Sequence, residues 1–413
     1  MTNRRVVITG TGAVTSLANN VSDSWTKLCD GISGIGPVTN FDPEGYRTQI
    51  AGEIKDFDPK AFIEAKTVKK LDPFCHYAIA ASAEAIEQSG LDLEAIDSTR
   101  FGVFVGSGIG GINTLEKQIE TLLNRGPSRV SPFLIPMMIT DMSSGAISIQ
   151  FGAQGPNFSI TSACATGSHS IGEAWWCIKR GDADIMLAGG AEACVSPIGM
   201  AGFSAMRAMS ARNDDPQAAS RPFDKDRDGF VCADGAGVLV LETLEHAQAR
   251  GANILAELIG YGSSGDAHHI TSPAPDGNGA RRAIESCLKH ANCELDDVTY
   301  INAHGTSTPQ NDKFETMAIK SVFKDSAYDL LISSTKSLTG HALGAAGGIE
   351  SVFCCKAISE GVIPGTWNYT TPDPECDLNY LPNKTTEAKI DVALNMNFGF
   401  GGHNAVLAFK KFS

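Results

Sequence analysis

The same series of segments occurs twice along the 413 residues of this chain. A β-branched strand that ends in glycine opens each series, at RRVVITGTGAVTS and again at ILAELIGYGSSGDAH. Each series later contains a strand, a turn of small residues and a helix, in PNFSITSACATGSHSIGEAWWCIKRG and in DLLISSTKSLTGHALGAAGGIESVFCCKAISEG. Each closes with two strands joined through glycines, GFVCADGAGVLVLE and ALNMNFGFGGHNAVLAF. We therefore predict two similar halves, residues 1–250 and 251–413, that pack together.

Strands that alternate with helices of this length predict an α/β fold with largely parallel strand pairing. The strands are nearly continuous apolar runs, so we expect both faces of the sheet to be covered. Ligands of such folds bind beyond the carboxyl ends of strands. Polar and nucleophilic residues at strand ends are therefore the candidates for a functional site.

Charge and cysteine content narrow the class of protein. The chain has 33 Lys and Arg against 47 Asp and Glu, a net charge of −14, which argues against nucleic acid or an anionic membrane as partner. Its 11 cysteines are odd in number and irregularly spaced, which indicates reduced thiols and a cytoplasmic protein. The start MTNRRVVITG has no apolar signal core, and no apolar run approaches the roughly 18 residues of a membrane span.

Cys164 is the sharpest local feature of the sequence. It stands in TSACATG, where an apolar strand from Phe158 to Ile160 turns into a helix from about Ser168 to Lys179. The dipole and free N–H groups of a helix N-terminus stabilise a thiolate, so we expect a lowered pKa and a nucleophile. A cysteine with only a packing role is the alternative. Placement alone supports the two interpretations of Cys164 equally, and we adopt the packing role for the other ten cysteines.

Two histidines and a lysine occupy comparable places in the second half. His304 ends the strand VTYINA, and His341 begins a glycine-rich helix in KSLTGHALGAAGG. Lys336 holds roughly the position that Cys164 holds in the first half. A single histidine is more often a packed core residue, but a thiol and two histidines at equivalent strand ends favour a shared catalytic site. Imidazole N–H groups directed at a thioester oxygen would stabilise an enolate or oxyanion.

Asp312 and Glu315 follow the His304 loop. Either carboxylate could hold Lys336 or orient a histidine. Ordinary charges in the first turn of a helix are an equally good interpretation.

The segment FGFGGHN, residues 398–404, is an aromatic turn flanked by glycines between two strands. Glycine permits positive φ and hinge motion, so Phe400 could move as a lid and contribute its backbone N–H to an oxyanion hole. A plain tight hairpin is the alternative, and in isolation it is favoured.

Three other motifs suggest cofactors or metals, and each is incomplete. Gly106–Gly111 matches G-x-G-x-x-G, the basis of our second hypothesis, a dinucleotide-binding oxidoreductase, but no acidic residue ends a strand about 20 residues later. Asp224–Gly229 resembles the start of a calcium loop, but Gly235 stands where the bidentate Glu is required. His268 and His269 lack a further ligand at metal-binding spacing. We therefore expect no metal site.

The chain resembles the β-ketoacyl-acyl-carrier-protein synthases, most of all their type II elongating members. Four motifs in order carry the resemblance, which covers essentially the whole chain: Cys164 in TSACATG, His304 in NAHGTSTPQND, Lys336 and His341 in STKSLTGHALGAAGGIE, and Phe400 in NFGFGGHN. The resemblance implies a thiolase-like fold of two pseudo-repeated halves in αβαβα layers, working as a cytoplasmic homodimer. It implies that Cys164 takes an acyl group and that malonyl-acyl-carrier protein then loses CO2 and condenses with it to 3-oxoacyl-acyl-carrier protein.

The resemblance also implies roles for further residues. His304 and His341 assist decarboxylation, Lys336 with Glu315 supports them, and the N–H groups of Cys164 and Phe400 form the oxyanion hole. Other positions match substrate contacts: Thr306 and Thr308 for the phosphopantetheine arm, and Ile109, Phe133 and Phe203 for the acyl pocket. Carrier-protein docking is implied for Lys66, Lys69, Lys70 and Arg207, although the lysine cluster alone would be taken as a solvated helix face. No resident cofactor is implied, because the phosphopantetheine arm belongs to the carrier protein.

One position departs from the family pattern: His403 stands where bacterial members often have Thr, which could alter hydrogen bonding of the turn. Within the family, a type I or polyketide-type ketosynthase is the alternative. A non-catalytic scaffold subunit is the alternative from another class, and the presence of Cys164 argues against it.

Overall fold

The computed structural model describes residues 4–412 of the chain, and within them the elements alternate as the sequence predicts. The strands are β1 Val6–Val14, β2 Gly36–Pro37, β3 Ile50–Ala51, β4 Phe101–Gly106, β5 Ile185–Glu192, β6 Gly235–Thr243, β7 Ala256–Gly265, β8 Val298–Asn302, β9 Leu331–Ser333, β10 Val362–Ile363, β11 Thr386–Glu387, β12 Val392–Gly399 and β13 His403–Lys410. The helices are α1 Val21–Cys29, α2 Ala65–Val68, α3 Pro73–Ser89, α4 Ile112–Arg125, α5 Leu134–Met138, α6 Met142–Phe151, α7 Thr166–Arg180, α8 Pro197–Ala205, α9 Leu244–Ala249, α10 Asn278–Ala291, α11 Pro309–Phe323, α12 Lys336–Thr339 and α13 Ala346–Glu360.

Nine strands form one continuous sheet in the order β4-β5-β6-β1-β7-β13-β12-β8-β9. The strands of the first half lie on one side of the order and those of the second half on the other. Three residue pairs join the two sets, where Val6–Ile8 of β1 runs antiparallel to Ala256–Leu258 of β7. The division at residues 250 and 251 stays a prediction, and this junction is where the strands on its two sides meet.

The expectation of largely parallel pairing is wrong. Within the nine-stranded sheet, β4 with β5, β12 with β8, and β8 with β9 are parallel, and the remaining neighbours are antiparallel. The reason is visible at β12 and β13, because a turn of three residues separates them and a connection that short only permits an antiparallel neighbour. Parallel pairs need a crossover of a dozen or more residues, which the β4–β5 connection provides through α7.

Five layers follow from which faces of the strands are buried. In β6, Val238 and Val240 pack on α3 and α6 in one core, while Leu239 and Leu241 pack on α7 and α13 in another. The opposite side has the same alternation, since Val406 of β13 packs towards α10 and α11 and its neighbours pack towards α7 and α13. Although β1 and β7 join the two sets of strands by hydrogen bonds, the sets form two layers with helices α7 and α13 between them. The αβαβα layering is therefore confirmed.

The two central helices approach each other through glycines at their N-terminal ends. A Cβ on Gly167 of α7 would lie 2.6 Å from the backbone N of Gly348 in α13, and a Cβ on Gly348 would lie 2.2 Å from the carbonyl oxygen of Gly237. Any larger residue would push these elements apart. This close packing brings the turns that precede the two helices, which carry Cys164 and His341, to the same end of the molecule.

The predicted strand from Phe158 to Ile160 is not formed. The segment runs beside the edge strand β4 but makes only an isolated bridge, at Asn157 with Val103. The side chain of Phe158 is 50% exposed. The segment thus leaves an open apolar edge on the surface.

No helix within residues 4–412 is long and apolar enough to cross a membrane.

Candidate active site

A cavity of about 650 Å³ opens at the end of the molecule where the central helices begin. Both halves contribute to its wall. Its lining includes Cys164, His304 and His341, together with Phe398 and Phe400 of the aromatic turn. The structure therefore brings together the thiol, the two imidazoles and the aromatic turn that the sequence singled out.

Cys164 lies in a single 3₁₀ turn, Ala163–Ala165, that leads directly into α7. It is 7% exposed. The turn at the end of β12 packs against its backbone, because a Cβ on Gly399 would lie 3.1 Å from the N of Cys164 and 2.5 Å from the carbonyl oxygen of Ser162. Only glycine leaves room at position 399 for this approach.

The expected lowering of the thiol pKa is wrong for this structure. Burial raises the pKa of Cys164 to about 12, and the nearby negative charge of Glu192 acts in the same direction. The charge of Lys336 and the backbone N–H of Phe400, which is directed at the sulfur, lower that pKa but do not outweigh burial. At neutral pH the group is a thiol, so its attack on an acyl carbon must be coupled to loss of the proton.

His304 and His341 face each other across the cavity wall, with ring centroids 5.3 Å apart and planes at 87°. Aromatic neighbours hold each ring, Phe398 at 5.5 Å from His304 and Phe230 at 5.5 Å from His341. Burial, together with the positive charge of Lys336, lowers the pKa of both histidines well below the usual value. Both are therefore neutral at pH 7, and each has one N–H to donate and one ring nitrogen to accept a proton.

The Nδ1 atoms of both histidines are buried and have no hydrogen-bond partner within the described part of the chain. Buried polar atoms are normally satisfied. These Nδ1 atoms are sealed from the cavity, so the Nε2 atom is the ring nitrogen that each histidine has left to present to it.

Lys336, the first residue of α12, forms a buried ion pair with Glu350 of α13. Of the two roles that the sequence leaves open for Glu315, holding Lys336 is therefore not the one observed. The second carboxylate oxygen of Glu350 accepts from Asn397 Nδ2 at 2.6 Å, and Asn397 Oδ1 accepts from Ser168 Oγ at 2.5 Å. A chain of buried polar groups thus ties α12 through α13 and β12 to the first turn of α7.

Glu315 has the other role that the sequence left open. Its two oxygens accept from the backbone N–H groups of His304 at 2.7 Å and Gly305 at 2.8 Å. Burial raises its pKa to about 8. Asp312 instead accepts from the backbone N–H of Phe223 at 2.8 Å. Glu315 therefore holds the loop that presents the His304 ring, and Asp312 holds a neighbouring loop.

The turn between β12 and β13 is a tight hairpin that also contributes to the cavity. Gly401 and Gly402 have φ of +88° and +75°, which side chains other than glycine rarely adopt. The turn is tethered by two hydrogen bonds, from Gly401 N to Ile270 O and from Asp266 N to Gly402 O, both 2.9 Å. His403 is exposed at the start of β13, and its ring lies 6.4 Å from that of His169.

Most of the predicted substrate contacts lie at the cavity. Thr306, Thr308, Ile109 and Phe203 line it, and the two threonine hydroxyls are 3.0 Å apart. Phe133 does not belong to this lining. It is 40% exposed, and Lys70 Nζ lies 5.2 Å from the centre of its ring.

The predicted docking residues are all exposed. Arg207 lines the cavity with a side chain that reaches the surface. Lys66 and Lys69 belong to α2 and its C-terminal end, and Lys66 pairs with Glu64 at 3.1 Å.

Two of the three incomplete motifs have structural roles. Backbone N–H groups of the Gly106–Gly111 segment, which would bind a phosphate in a dinucleotide site, instead donate to the buried carboxylate of Glu192. Asp224 accepts from the backbone N–H groups of Thr370 and Thr371 and from the guanidinium of Arg221. Within residues 4–412 no three His, Cys, Asp or Glu side chains are grouped to hold a metal, and His268 and His269 are exposed.

Sequence reasoning missed Glu350, Asn397 and Glu192. Each is a polar residue in an otherwise apolar helix or strand: GGIESVFCC, VALNMNFG and IMLAGGAE. A single charge inside a buried element needs a partner. That rule could have pointed to Glu350 as the partner of Lys336.

Comparison with known proteins gives matches along almost the whole chain. Residues 3–247 match the beta-ketoacyl synthase N-terminal domain, and residues 255–370 match the beta-ketoacyl synthase C-terminal domain. A 3-oxoacyl-[acyl-carrier-protein] synthase 2 from Synechocystis sp. is 51% identical over 409 residues, 99% of this chain and 98% of that protein. A protein of the same name from Staphylococcus aureus (strain COL) is 50% identical over 410 residues, 99% of each.

Solved structures agree with these matches. A beta-ketoacyl synthase from Burkholderia phymatum has a TM-score of 0.92 at 33% identity, covering 99% of this chain and all of that one. A type II PKS ketosynthase bound to the hexaketide and in complex with its acyl-carrier protein has a TM-score of 0.92 at 36% identity, with the same coverage. The thiolase-like fold expected from the sequence is thereby confirmed.

Proposed function

Because this chain belongs to the β-ketoacyl synthase family, we propose that its 650 Å³ cavity is the active site of a decarboxylating condensation, with Cys164 as the acyl carrier. The enzyme is a 3-oxoacyl-[acyl-carrier-protein] synthase, an acyltransferase of fatty acid elongation. The observation that supports the residue assignment is the meeting of Cys164, His304 and His341 on one cavity wall. No packing role requires a thiol and two imidazoles to line one cavity.

In the first step, Cys164 Sγ attacks the thioester carbon of an acyl-carrier protein. The bond from sulfur to acyl carbon forms, and the bond from that carbon to the phosphopantetheine sulfur breaks. The backbone N–H groups of Cys164 and Phe400 stabilise the oxyanion that develops. The thiol proton leaves with the released phosphopantetheine thiol, as the raised pKa of Cys164 requires.

In the second step, malonyl-carrier protein loses CO2, and the electron pair of the broken C–C bond becomes an enolate. Neutral His304 and His341 each donate one hydrogen bond to the thioester oxygen that carries this charge. The enolate carbon then attacks the acyl carbon on Cys164, the bond to sulfur breaks with its electron pair on Sγ, and the released thiolate takes up one proton from solvent to restore the thiol. The product is a 3-oxoacyl-carrier protein two carbons longer.

Lys336 keeps the two imidazoles neutral without touching the substrate. Its buried positive charge disfavours a second cation nearby. Its ion pair with Glu350 fixes that charge at one place. Glu315 completes the support by holding the His304 loop. Every step uses groups of this chain and of its two substrates, so we propose no resident cofactor.

The carrier protein is the macromolecular partner that the site requires. The ketosynthase of similar structure is seen with its acyl-carrier protein. We propose that Lys66, Lys69, Lys70 and Arg207 bind the acidic carrier protein despite the overall charge of −14. Thr306 and Thr308, on the cavity wall, would then contact the phosphopantetheine arm.

We also propose that two copies of the chain associate. Three exposed apolar side chains support this: Phe158 on the open edge beside β4, Phe133 directly before α5, and Ile135 within α5. An apolar edge of this kind is normally covered by a partner. In such a dimer, Phe133 of one copy would contact the other copy instead of solvent. The cytoplasm, as expected from the thiols, is the compartment in which we place the enzyme.

A fatty-acid enzyme is favoured over the polyketide-type alternative by the degree of likeness. The fatty-acid synthases named above are 50–51% identical to this chain, and the polyketide ketosynthase is 36% identical. The bond-forming chemistry is the same in both. The choice concerns the acyl group and not the mechanism.

Intact-protein mass spectrometry after incubation with an acyl-carrier protein tests the proposal. We expect one acyl adduct on the wild type that is absent in Cys164→Ala, and release of that adduct as 3-oxoacyl product when malonyl-carrier protein is added. Cys29→Ser is the matched control, because Cys29 is a more exposed thiol and its loss should leave the adduct unchanged. An adduct that persists in Cys164→Ala would overturn the assignment.

A further inference from the structure

Glu192, the last residue of β5, is a fully buried carboxylate whose partners come from both halves of the chain. One oxygen accepts from Ser107 Oγ at 2.8 Å and from Ile109 N at 3.2 Å. The other accepts from Gly108 N at 2.9 Å and from Gly344 N at 3.0 Å. The mechanism above does not use this group.

The carboxylate fits only because glycines surround it. A Cβ on Gly108 would lie 2.8 Å from Glu192 Oε2, and a Cβ on Gly344 would lie 2.7 Å from the same atom. The Cβ on Gly344 would also lie 2.4 Å from the N of Gly108. The backbones of the turn after β4 and the turn before α13 therefore meet at this oxygen, at a distance that leaves no room for a side chain at Gly108 or Gly344.

Both turns carry residues of the active site. Ile109 and Leu343 line the cavity, each directly next to a glycine that donates to Glu192. His341 precedes Gly344 by three residues. Cys164 is close enough to feel the charge of Glu192. The carboxylate thus stands behind the wall on which the acyl pocket, the thiol and one imidazole meet.

We propose that Glu192 is a positioning residue that locks the Ile109 turn and the His341 turn to each other, and so sets the acyl-pocket wall and one imidazole relative to Cys164. This inference rests on the proposed function, and it adds a residue that touches no substrate. The same group has an electrostatic effect, because burial raises the pKa of Glu192 to about 6. It is therefore protonated in mild acid and negative beside the thiol at neutral pH.

Glu192→Gln is the decisive substitution. In either orientation its amide NH2 faces backbone N–H groups that donate to the carboxylate, those of Gly108 and Gly344 or that of Ile109. The turns then lose at least one of the hydrogen bonds that hold them to residue 192. Glu53→Gln is the matched control, since Glu53 is also buried and accepts from the backbone N–H groups of Thr39 and Asn40, but neither of these two residues lines the cavity.

Steady-state kinetics measure the positioning role. For Glu192→Gln we expect kcat of condensation to fall by about 10- to 100-fold, as displacements near 1 Å at a reacting centre do. KM for the acyl-carrier protein should change by less than about threefold, because docking residues are not affected. The preference among acyl chain lengths should also shift, since Ile109 moves. Glu53→Gln should leave all three unchanged.

A pH series separates this role from loosening of the fold. The rate at which methyl methanethiosulfonate modifies Cys164 in Glu192→Gln, divided by the rate in wild type, should rise as the pH passes through about 6, where Glu192 of the wild type loses its proton. Above about pH 6.5 the variant should react several-fold faster, because the negative charge that disfavours the thiolate is gone. A merely looser pocket would give a ratio of rates that does not depend on pH.

Two results would overturn the inference: unchanged kcat and chain-length preference in Glu192→Gln, or a rate ratio that is flat with pH. If Glu192→Gln does not fold, Ser107→Ala removes one donor to the carboxylate and should give a smaller fall of kcat in the same direction, and wild-type kinetics there would also count against the role. Absence of an acyl adduct on wild-type Cys164 would instead contradict the proposed function itself.

Discussion

Lys336 and Glu350 form an ion pair whose side chains are 1% and 3% exposed, between the two strand layers. The charge of Lys336 lowers the pKa of Cys164, His304 and His341. It opposes the effect of burial on the thiol and adds to the effect of burial on the two imidazoles. One buried cation therefore acts on all three reactive groups. Its own stability in an apolar interior depends on the carboxylate beside it.

We expect Glu350→Gln to destabilise the protein by about 3–5 kcal/mol, because it leaves the Lys336 ammonium buried without a counter-charge. Chemical denaturation of wild type and variant measures this difference. The control is Glu285→Gln, which breaks the exposed pair of Glu285 with Arg281 and should cost less than about 1 kcal/mol. An equally small decrease in the free energy of unfolding of the two variants would mean that the buried pair stabilises the protein no more than the exposed pair does.

The sequence predicted the reacting groups but not what holds them. Cys164, His304 and His341 could be found because a thiol and two imidazoles occupy comparable places in the two halves, a combination that packing alone seldom requires. Lys336 was found, but the sequence offered only Asp312 and Glu315 as carboxylates that could hold it, whereas α13 supplies Glu350. Which carboxylate meets a buried lysine depends on how two helices pack, and local spacing does not contain that information.

Strand direction and thiol chemistry were missed for a related reason. The alternation of strands and helices does not predict that β6 and β13 run antiparallel to both of their neighbours. That direction depends on which strands become neighbours in the sheet. The helix N-terminus at Cys164 was recognised, but its effect on the pKa is opposed by a burial that only the folded chain contains. Both errors concern long-range arrangement rather than local structure.

Because burial raises the pKa of Cys164 to about 12, the alkylation of this thiol should follow the concentration of a scarce thiolate. We expect the rate with iodoacetamide to rise about tenfold per pH unit from about pH 7 to about pH 10, without a plateau. Mass spectrometry of the peptide that contains Cys164 measures it, with the same peptide from unfolded protein as reference. A plateau near pH 7 would mean that the helix N-terminus outweighs burial.

His304→Ala should leave the acylation of Cys164 intact and abolish most condensation. The thiol attack needs the oxyanion hole, whereas decarboxylation needs an N–H donor at the enolate oxygen, so we expect condensation to fall by about 100-fold or more. The acyl adduct and the 3-oxoacyl product are measured on the same sample. Glu315→Gln, which keeps one acceptor for the His304 loop, should have a much smaller effect on the product, and normal chain extension by His304→Ala would refute the role of the imidazole.

Lys69→Glu should weaken binding of the acyl-carrier protein, because Lys69 lies in an exposed basic cluster with Lys66 and Lys70 on a chain that is otherwise acidic. Long-range attraction between a basic patch and an acidic partner is screened by salt. We therefore expect Kd to rise by roughly fivefold at low ionic strength and the difference to shrink as salt is added. Lys289→Glu makes the same change of net charge at an exposed position of α10 and should leave Kd nearly unchanged. If both reversals weaken binding equally, the overall charge of the enzyme and not this patch governs its encounter with the carrier.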